Sequence, residues 1–349
     1  MIGLNNMINN IDLYNEDLKK IVDEYKFEKL AQKTILITGA NGLIGSALID
    51  LLNMYNIVYD YNIKIVALVR TRILDRIEKY NDVTVLKQDV IEKINYESNV
   101  DYIIHAASNS NPLMYSKDPV GTMLGNFYGM NNVLEFAKSH ETNRVLYVSS
   151  GEVYGQGDDG TIAFGEDSFG KINSMNPRSC YPISKLASET LCSSYSLQHN
   201  VETVIVRPCH IYGPTQTEND SRVSAQFINN VLNNENIILK SEGKQVRSYC
   251  YVLDCASAIL KVMSDGENGN AYNISNHDSI ISIKEMAELV ATTNNKKVEY
   301  AIPDEIEKRG FTPVTRSVLD STKLYNLGWK PFWKFENGIK STVEIMKHN

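Results

Sequence analysis

The stretch Thr34-Ile-Leu-Ile-Thr38-Gly39-Ala-Asn41-Gly42-Leu43-Ile44-Gly45 decides how this chain folds. An apolar run rich in β-branched residues ends abruptly in a glycine. Two more glycines follow at intervals of three residues, and a helical pattern, Ser46 to Tyr55, grows out of the last. Glycines let the chain turn tightly, let a pyrophosphate approach the backbone, and let helix and strand pack closely. The N-terminus of the helix offers N–H donors and a partial positive charge to the phosphates. A glycine triplet alone is a weak signal. Here it follows a strand and opens a helix, the context that gives it meaning.

Further apolar, β-branched runs lie at 63–69, 83–89, 100–106, 144–150 and 202–207, and helical patterns fall between them, notably at 118–139 and 181–198. Strands alternating with helices imply an α/β fold, a Rossmann-type doubly wound parallel sheet with helices on both faces. After Pro208 the pattern loosens into turns, a helix at 282–292 and a tail helix after Asn337. The expected organisation is an N-terminal helical extension at 1–32, a dinucleotide-binding domain at 33–210, and a smaller interleaved substrate lobe at 211–349. In the extension, Asn15 is the expected N-cap of a helix over 15–32, with Leu18, Ile21, Val22 and Tyr25 sharing one face.

Composition narrows the function classes. A net charge of −7 argues against nucleic acid as a partner. Five cysteines, odd in number and without a CxxC, suit reduced thiols and a cytoplasmic location. The six histidines show no metal spacing, so no metal is expected. MIGLNNMINN lacks the basic and apolar regions of a signal peptide, and no apolar run approaches membrane-spanning length.

The second strand ends in Val69-Arg70-Thr71-Arg72. An acid near this point would bond a ribose 2′-OH, whereas arginine accommodates a 2′-phosphate, so Arg70 and Arg72 lean toward NADP over NAD. Asp89, ending the third strand, is placed to accept from an adenine amino group.

Tyr181 and Lys185 stand four apart in Pro177-Arg-Ser-Cys-Tyr181-Pro-Ile-Ser-Lys185. That spacing puts them on one helix face. A neighbouring ammonium lowers a tyrosine pKa, and such a pair can take a hydroxyl proton while hydride leaves. The strand at 144–150 ends in Ser149 and Ser150, whose hydroxyls can bond the same substrate oxygen. A second YxxxK, Tyr25–Lys29, precedes the glycine turn and reads as a surface pair.

Taken together, TGANGLIG, HAAS (105–108), Ser-Ser, YxxxK and RPxxxYGP (207–214) resemble an extended short-chain dehydrogenase/reductase of the NAD-dependent epimerase/dehydratase family. The motifs run over most of the chain. The resemblance implies a nucleotide-sugar substrate and oxidation at C4 of the hexose. Tyr181 would be the base, Lys185 would hold the nicotinamide ribose, and Ser149 or Ser150 would bond O4. It adds Val90, Ala106, Ala107, Ser108 and Pro208 to the cofactor contacts. It also implies a homodimer through helices 118–139 and 181–198.

The tripeptide Ser150-Gly151-Glu152 bears on the branch. The family's 4,6-dehydratases carry a hydroxyl, an Asp acid and a Glu base here. Gly151 has no group to donate, so dehydration is disfavoured. UDP-glucuronate decarboxylases carry a hydroxyl residue, Ser and Glu, and Glu152 fits them. PRSCYPISK, NDSRVSAQFI (219–228) and the stretch Gly243 to Asp254 resemble that branch too. The resemblance makes Arg222 and Arg247 phosphate candidates and gives Glu152 and Arg316 the substrate carboxylate. Ser108 would also touch substrate. His210 replaces the family's usual Asn, and it either contacts sugar or phosphate, titrating near neutrality, or is a packed histidine. A UDP-glucuronate decarboxylase-like enzyme is the leading reading. A 4-epimerase or a C4 oxidoreductase or 4-keto reductase remains open. The non-enzymatic alternative is a dinucleotide-sensing scaffold; such proteins usually lose the tyrosine–lysine pair, and this chain keeps it.

Overall fold

The alternation of apolar runs and helices resolves into one seven-stranded sheet in a computed structural model that describes residues 10–158, 160–302 and 314–347. The sheet comprises β1 (Thr34–Thr38), β2 (Lys64–Val69), β3 (Val83–Lys87), β4 (Tyr102–His105), β5 (Arg144–Val148), β6 (Thr203–Pro208) and a strand from beyond residue 210, Ala271–Ile274. Every neighbouring pair is parallel, and β1 lies between β2 and β4. The order therefore reverses at the β1–β4 junction, where open α/β sheets bind ligands beyond their carboxyl ends.

Period-two alternation sets the layers. In β1, Ile35 and Ile37 enter one core cluster and Leu36 the other. On the first face lie α1 (Ile11–Glu24), α2 (Leu43–Tyr59), the short α3 (Asp75–Glu78) and a later helix, Val252–Asp265. On the second face, α4 (Pro112–Lys117) leads into α5 (Pro119–Ser139), which packs on α6 (Cys180–His199). Asp118 caps α5 by accepting from Gly121 N at 2.9 Å. The expected helices at 118–139 and 181–198 thus match α5 and α6 within a residue.

The remaining chain returns one strand to this sheet and otherwise forms smaller elements. Here β7 (His210–Tyr212), α7 (Val223–Leu232), β8 (Ile237–Leu239) and β9 (Val246–Tyr251) lead into α8 (Val252–Asp265) and β10 (Ala271–Ile274). Next come β11 (Ile280–Ser282), α9 (Ile283–Thr292), β12 (Val298–Tyr300), β13 (Arg316–Ser317), α10 (Thr322–Asn326) and α11 (Phe335–Met346). A small sheet runs β11–β9–β13, with β7 also pairing on β9, and β8 pairs with β12. No helix among the described residues is long and apolar enough to cross a membrane.

Two expectations about the N-terminal extension need correction. Its helix starts at Ile11, and Asn10, not Asn15, caps it by accepting from Leu13 N at 3.2 Å. The helix ends at Glu24, so Tyr25 lies just past it, while Leu18, Ile21 and Val22 share a face at most 2% exposed. Tyr25 is no surface residue: its hydroxyl donates to Lys330 O and accepts from Lys330 N, both at 2.8 Å. The anchor to the chain's other end overrides the local YxxxK spacing. Apart from Asn10, MIGLNNMINN lies outside the described residues.

Candidate active site

The glycine turn is built as its sequence requires. Gly39 has φ +69°, and a Cβ there would stand 2.8 Å from the Ala107 backbone. A Cβ on Gly45 would stand 2.3 Å from Gly39 O. Only glycine lets β1, the β4 exit and α2 converge this closely. Gly42 is the N-cap of α2 and no side chain caps it, so the first N–H groups of α2, starting at Leu43 and Ile44, face the turn. Thr38 Oγ1 bonds His105 Nδ1 at 2.7 Å and accepts from Ala107 N at 3.1 Å, which fixes the Ala106-Ala107-Ser108 exit of β4. The crowded glycine cradle and the uncapped helix fit a dinucleotide pyrophosphate.

Beside this turn, Asn41 bonds the loop after β2: its amide donates to Arg72 O at 2.8 Å and accepts from Leu74 N at 3.2 Å. Arg70 is exposed. Arg72 forms ion pairs with Asp75 and Glu78, so part of its charge is already used. Asp89 accepts from Ile91 N at 3.2 Å, a local turn that still leaves carboxylate lone pairs. Asn132 donates to the carbonyl of Val90 at 3.0 Å, holding that strand exit on α5.

Tyr181 and Lys185 lie on α6, 5% and 2% exposed. Lys185 Nζ donates to Val148 O at 2.8 Å and sits 4.8 Å from the Tyr147 ring centre and 5.7 Å from that of Tyr181. Burial pulls its pKa down to about 7, partly opposed by Glu189. The expectation of a lowered Tyr181 pKa is overturned. Burial, and then the negative charge of Glu152, push it up to about 12, while bonds with Ser150 and Tyr115 favour the phenolate.

A polar chain holds α6 against α5. Ser108 Oγ donates to Asn126 Oδ1 at 2.7 Å, Asn126 Nδ2 donates to Ser184 Oγ at 2.8 Å, and Ser184 Oγ donates to Tyr181 O at 3.0 Å. Ser108 thereby links the β4 exit to the tyrosine's own backbone.

The stretch after β5 folds as a single 3₁₀ turn, Gly151–Tyr154, capped by Ser150 Oγ, which accepts from Glu152 N at 3.2 Å. Ser150 thus turns the chain, and its hydroxyl also lies close enough to Tyr181 to favour the phenolate. Ser149 Oγ is buried and has no partner among the described residues. Gly151 is buried, and a Cβ there would stand 3.0 Å from Leu319 Cδ1 and 3.4 Å from Pro208 O. A side chain at 151 would have to move Leu319. Glu152 accepts from Arg178 Nη1 at 3.2 Å. The Arg178 guanidinium lies 5.7 Å from the Tyr115 ring centre, and Tyr115 stacks on Tyr181 at 4.7 Å.

Of the remaining candidates, Arg247 stands out. It is 4% exposed, and its guanidinium donates to Val246 O at 3.0 Å and Val314 O at 2.7 Å. No carboxylate pairs with it among the described residues, and burial pulls its pKa down. Arg222 is clamped by Asp220 and donates to Ile211 O at 3.0 Å. Its charge nonetheless acts on Tyr181, Tyr115 and His210. His210 does not titrate near neutrality. Burial, Arg247 and Arg222 pull its pKa down to about 3, and its Nδ1 has no partner among the described residues. Arg316 donates through Nε to Ile162 O at 2.6 Å.

Arg178, Tyr115 and Asn126 were not singled out from the sequence. Arg178 carried a signal, three residues before Tyr181 in the PRSCY stretch. Tyr115 and Asn126 carried none, because only the packing of α4 and α5 on α6 brings them to the site.

Residues 35–275 match the NAD dependent epimerase/dehydratase family. UDP-glucuronic acid decarboxylase 5 of Arabidopsis thaliana is 34% identical over 311 residues, covering 87% of this chain and 86% of that protein. The dTDP-D-glucose 4,6-dehydratase of Mus musculus is 27% identical over 327 residues, covering 91% and 89%. The structure of UDP-glucose 4-epimerase from Thermus thermophilus, solved as a complex with NAD, superposes with a TM-score of 0.76 at 25% identity, covering 90% of this chain and 98% of that one. The glycine cradle at the sheet's reversal point, the tyrosine–lysine pair on α6 and these likenesses agree: the chain belongs to the NAD-dependent epimerase/dehydratase family.

Proposed function

We propose that this chain binds NAD or NADP and a nucleotide sugar, oxidises C4 of the hexose, and releases carbon dioxide from a C6 carboxylate, as a UDP-glucuronate decarboxylase does. One observation carries the reading. Buried Tyr181 lies beside Ser150, Glu152 and Arg178, while position 151 is a glycine closed off by Leu319. The likeness to plant and animal UDP-glucuronic acid decarboxylases supports the same choice.

The turn from Gly39 to Gly45 would hold the pyrophosphate, with Lys185 on the nicotinamide ribose and Asp89 toward adenine. When bound, the dinucleotide supplies a hydride acceptor and donor at C4. The exposed Arg70 favours NADP, and the prior engagement of Arg72 weakens that preference. Tyr181 takes the O4 proton, Ser150 orients that oxygen, and the ammonium of Lys185 offsets the phenolate charge. Arg247, which has no carboxylate partner among the described residues, takes the diphosphate, with Arg222 adding charge. Oxidation leaves a β-keto acid. The C5–C6 bond then breaks with its electron pair drawn toward the C4 ketone, which needs no acid at 151; the enolate takes a proton at C5, and the hydride returns to C4 as Tyr181 gives the proton back to O4. Arg178 and Glu152 position the carboxylate before it departs.

A 4-epimerase or a 4-keto reductase is a second reading favoured by the same glycine, since neither needs an acid there. Homodimerisation through α5 and α6 fits the exposed apolar row Val120, Met123, Leu124, Phe127 and Tyr128 on α5. Cytoplasmic residence fits the five free cysteines.

Incubation with UDP-glucuronate and cofactor should release carbon dioxide, and Tyr181→Phe should lower kcat by about 10²–10⁴-fold. Unchanged turnover in Tyr181→Phe would overturn the assignment.

A further inference from the structure

The N-terminal helix takes no part in the alternating sheet, yet one of its side chains reaches the frame of the dinucleotide site. Asp50 lies on α2, the helix that opens at the glycine turn, and is 1% exposed. Its carboxylate accepts from donors on three sides. Tyr14 of α1 donates to Oδ2 at 3.0 Å, and Tyr80, just past α3, donates to Oδ1 at 2.9 Å. Arg76 of α3 donates through Nε at 3.3 and 3.1 Å and through Nη2 at 3.0 Å. Arg76 is itself only 8% exposed. Burial and the Asp50 charge together keep the Tyr14 phenol protonated, as a donor.

A buried charge pair persists when its lone pairs are filled, and removing one partner leaves a charge uncompensated. Here the filled carboxylate joins three helical segments. Between β2 and α3 runs the loop that carries Arg70 and Arg72. Asn41, inside the glycine turn, pins that loop at Arg72 O and Leu74 N. Asp50 pins it further along, at Arg76, and Ile73 and Leu74 are buried at 2% and 8% exposure.

We propose that the Tyr14–Asp50–Arg76 cluster is a brace through which the N-terminal helix sets the position of loop 70–74, and so the affinity for the adenosine half of the dinucleotide. Tyr14, Asp50 and Arg76 are then positioning residues that touch no ligand. The proposal rests on the dinucleotide-binding reading above. A second tie of the same helix, Ser341 to Asp17, runs to α11 and away from the loop, so it serves as a control.

The test is calorimetric titration of the full chain with NAD⁺, NADP⁺ and UDP, alongside melting curves. Tyr14→Phe should weaken dinucleotide binding about threefold and Asp50→Asn about tenfold, with UDP affinity unchanged in both. Ser341→Ala should lower Tm without changing any of the three affinities. A lowered Tm with wild-type dinucleotide affinity in Tyr14→Phe would overturn the proposal, whether or not Asp50→Asn folds. So would equal weakening of UDP binding. A wild-type chain that binds neither dinucleotide overturns the cofactor reading itself, an outcome distinct from either.

Discussion

The two ends of the ligand groove are built on opposite terms. At the dinucleotide end several polar side chains are already paired, although Ser46 Oγ and His105 Nε2 are buried without partners among the described residues and Arg70 is exposed. Asn41 bonds the 72–74 loop with both ends of its amide, Arg72 pairs with Asp75, and Asp50 accepts from Tyr14, Arg76 and Tyr80. Binding there falls to backbone N–H groups at glycines that have no room for a Cβ. At the sugar end, among the described residues, Ser149 Oγ and His210 Nδ1 are buried without partners and Arg247 lacks a carboxylate. Buried polar groups without partners are costly and rare, and they persist where a ligand completes them. On the proposed reading, one end is framed for the cofactor largely by its own bonds, and the other leaves Ser149, His210 and Arg247 for the substrate to engage.

The largest effect that would break this comparison is expected at Arg247. Replacing it with alanine should weaken nucleotide-sugar binding by about 2–3 kcal/mol, roughly 30- to 150-fold, with dinucleotide affinity unchanged. Paired titrations with UDP and NAD⁺ read this directly. Equal losses for both ligands would mean that the two ends are not independent.

A smaller effect comes from His210. Its folded pKa of about 3 lies below the ordinary 6.5, so the unfolded chain takes up a proton near pH 6.5 while the folded chain resists it. Stability should therefore fall as pH drops from about 6.5 toward 3. His105, held near 3 by burial and then by Lys185, contributes in the same direction. His210→Asn should remove roughly 1–2 kcal/mol of the stability lost between pH 7 and 5, measured by urea unfolding. An identical pH dependence in the variant would sink the buried-neutral account of His210.

What was legible in the sequence follows the same division. The glycine turn and its flanking strand and helix are local, so spacing alone fixed their geometry. Tyr181 and Lys185 share a helix face for the same reason. Their proton affinities were not legible, because desolvation depends on how α4, α5 and the Ser149–Gly155 turn close over them. The Glu152–Arg178 pair joins residues 26 apart, and the register between them appears only once the turn and α6 are packed. For Arg316 the motif suggested the carboxylate site, and folding adds a partner that spacing did not show, the bond from its Nε to Ile162 O. Tyr25 likewise reads as a surface residue until Lys330 is folded against it.

The central claim is that a C4 redox site with a glycine at 151 removes carbon dioxide and not water. Mass spectrometry of the products formed from UDP-glucuronate and from dTDP-glucose, side by side, tests it most directly. The account predicts loss of carbon dioxide from UDP-glucuronate and no water loss from dTDP-glucose. A dehydrated product from dTDP-glucose, with UDP-glucuronate untouched, would contradict it.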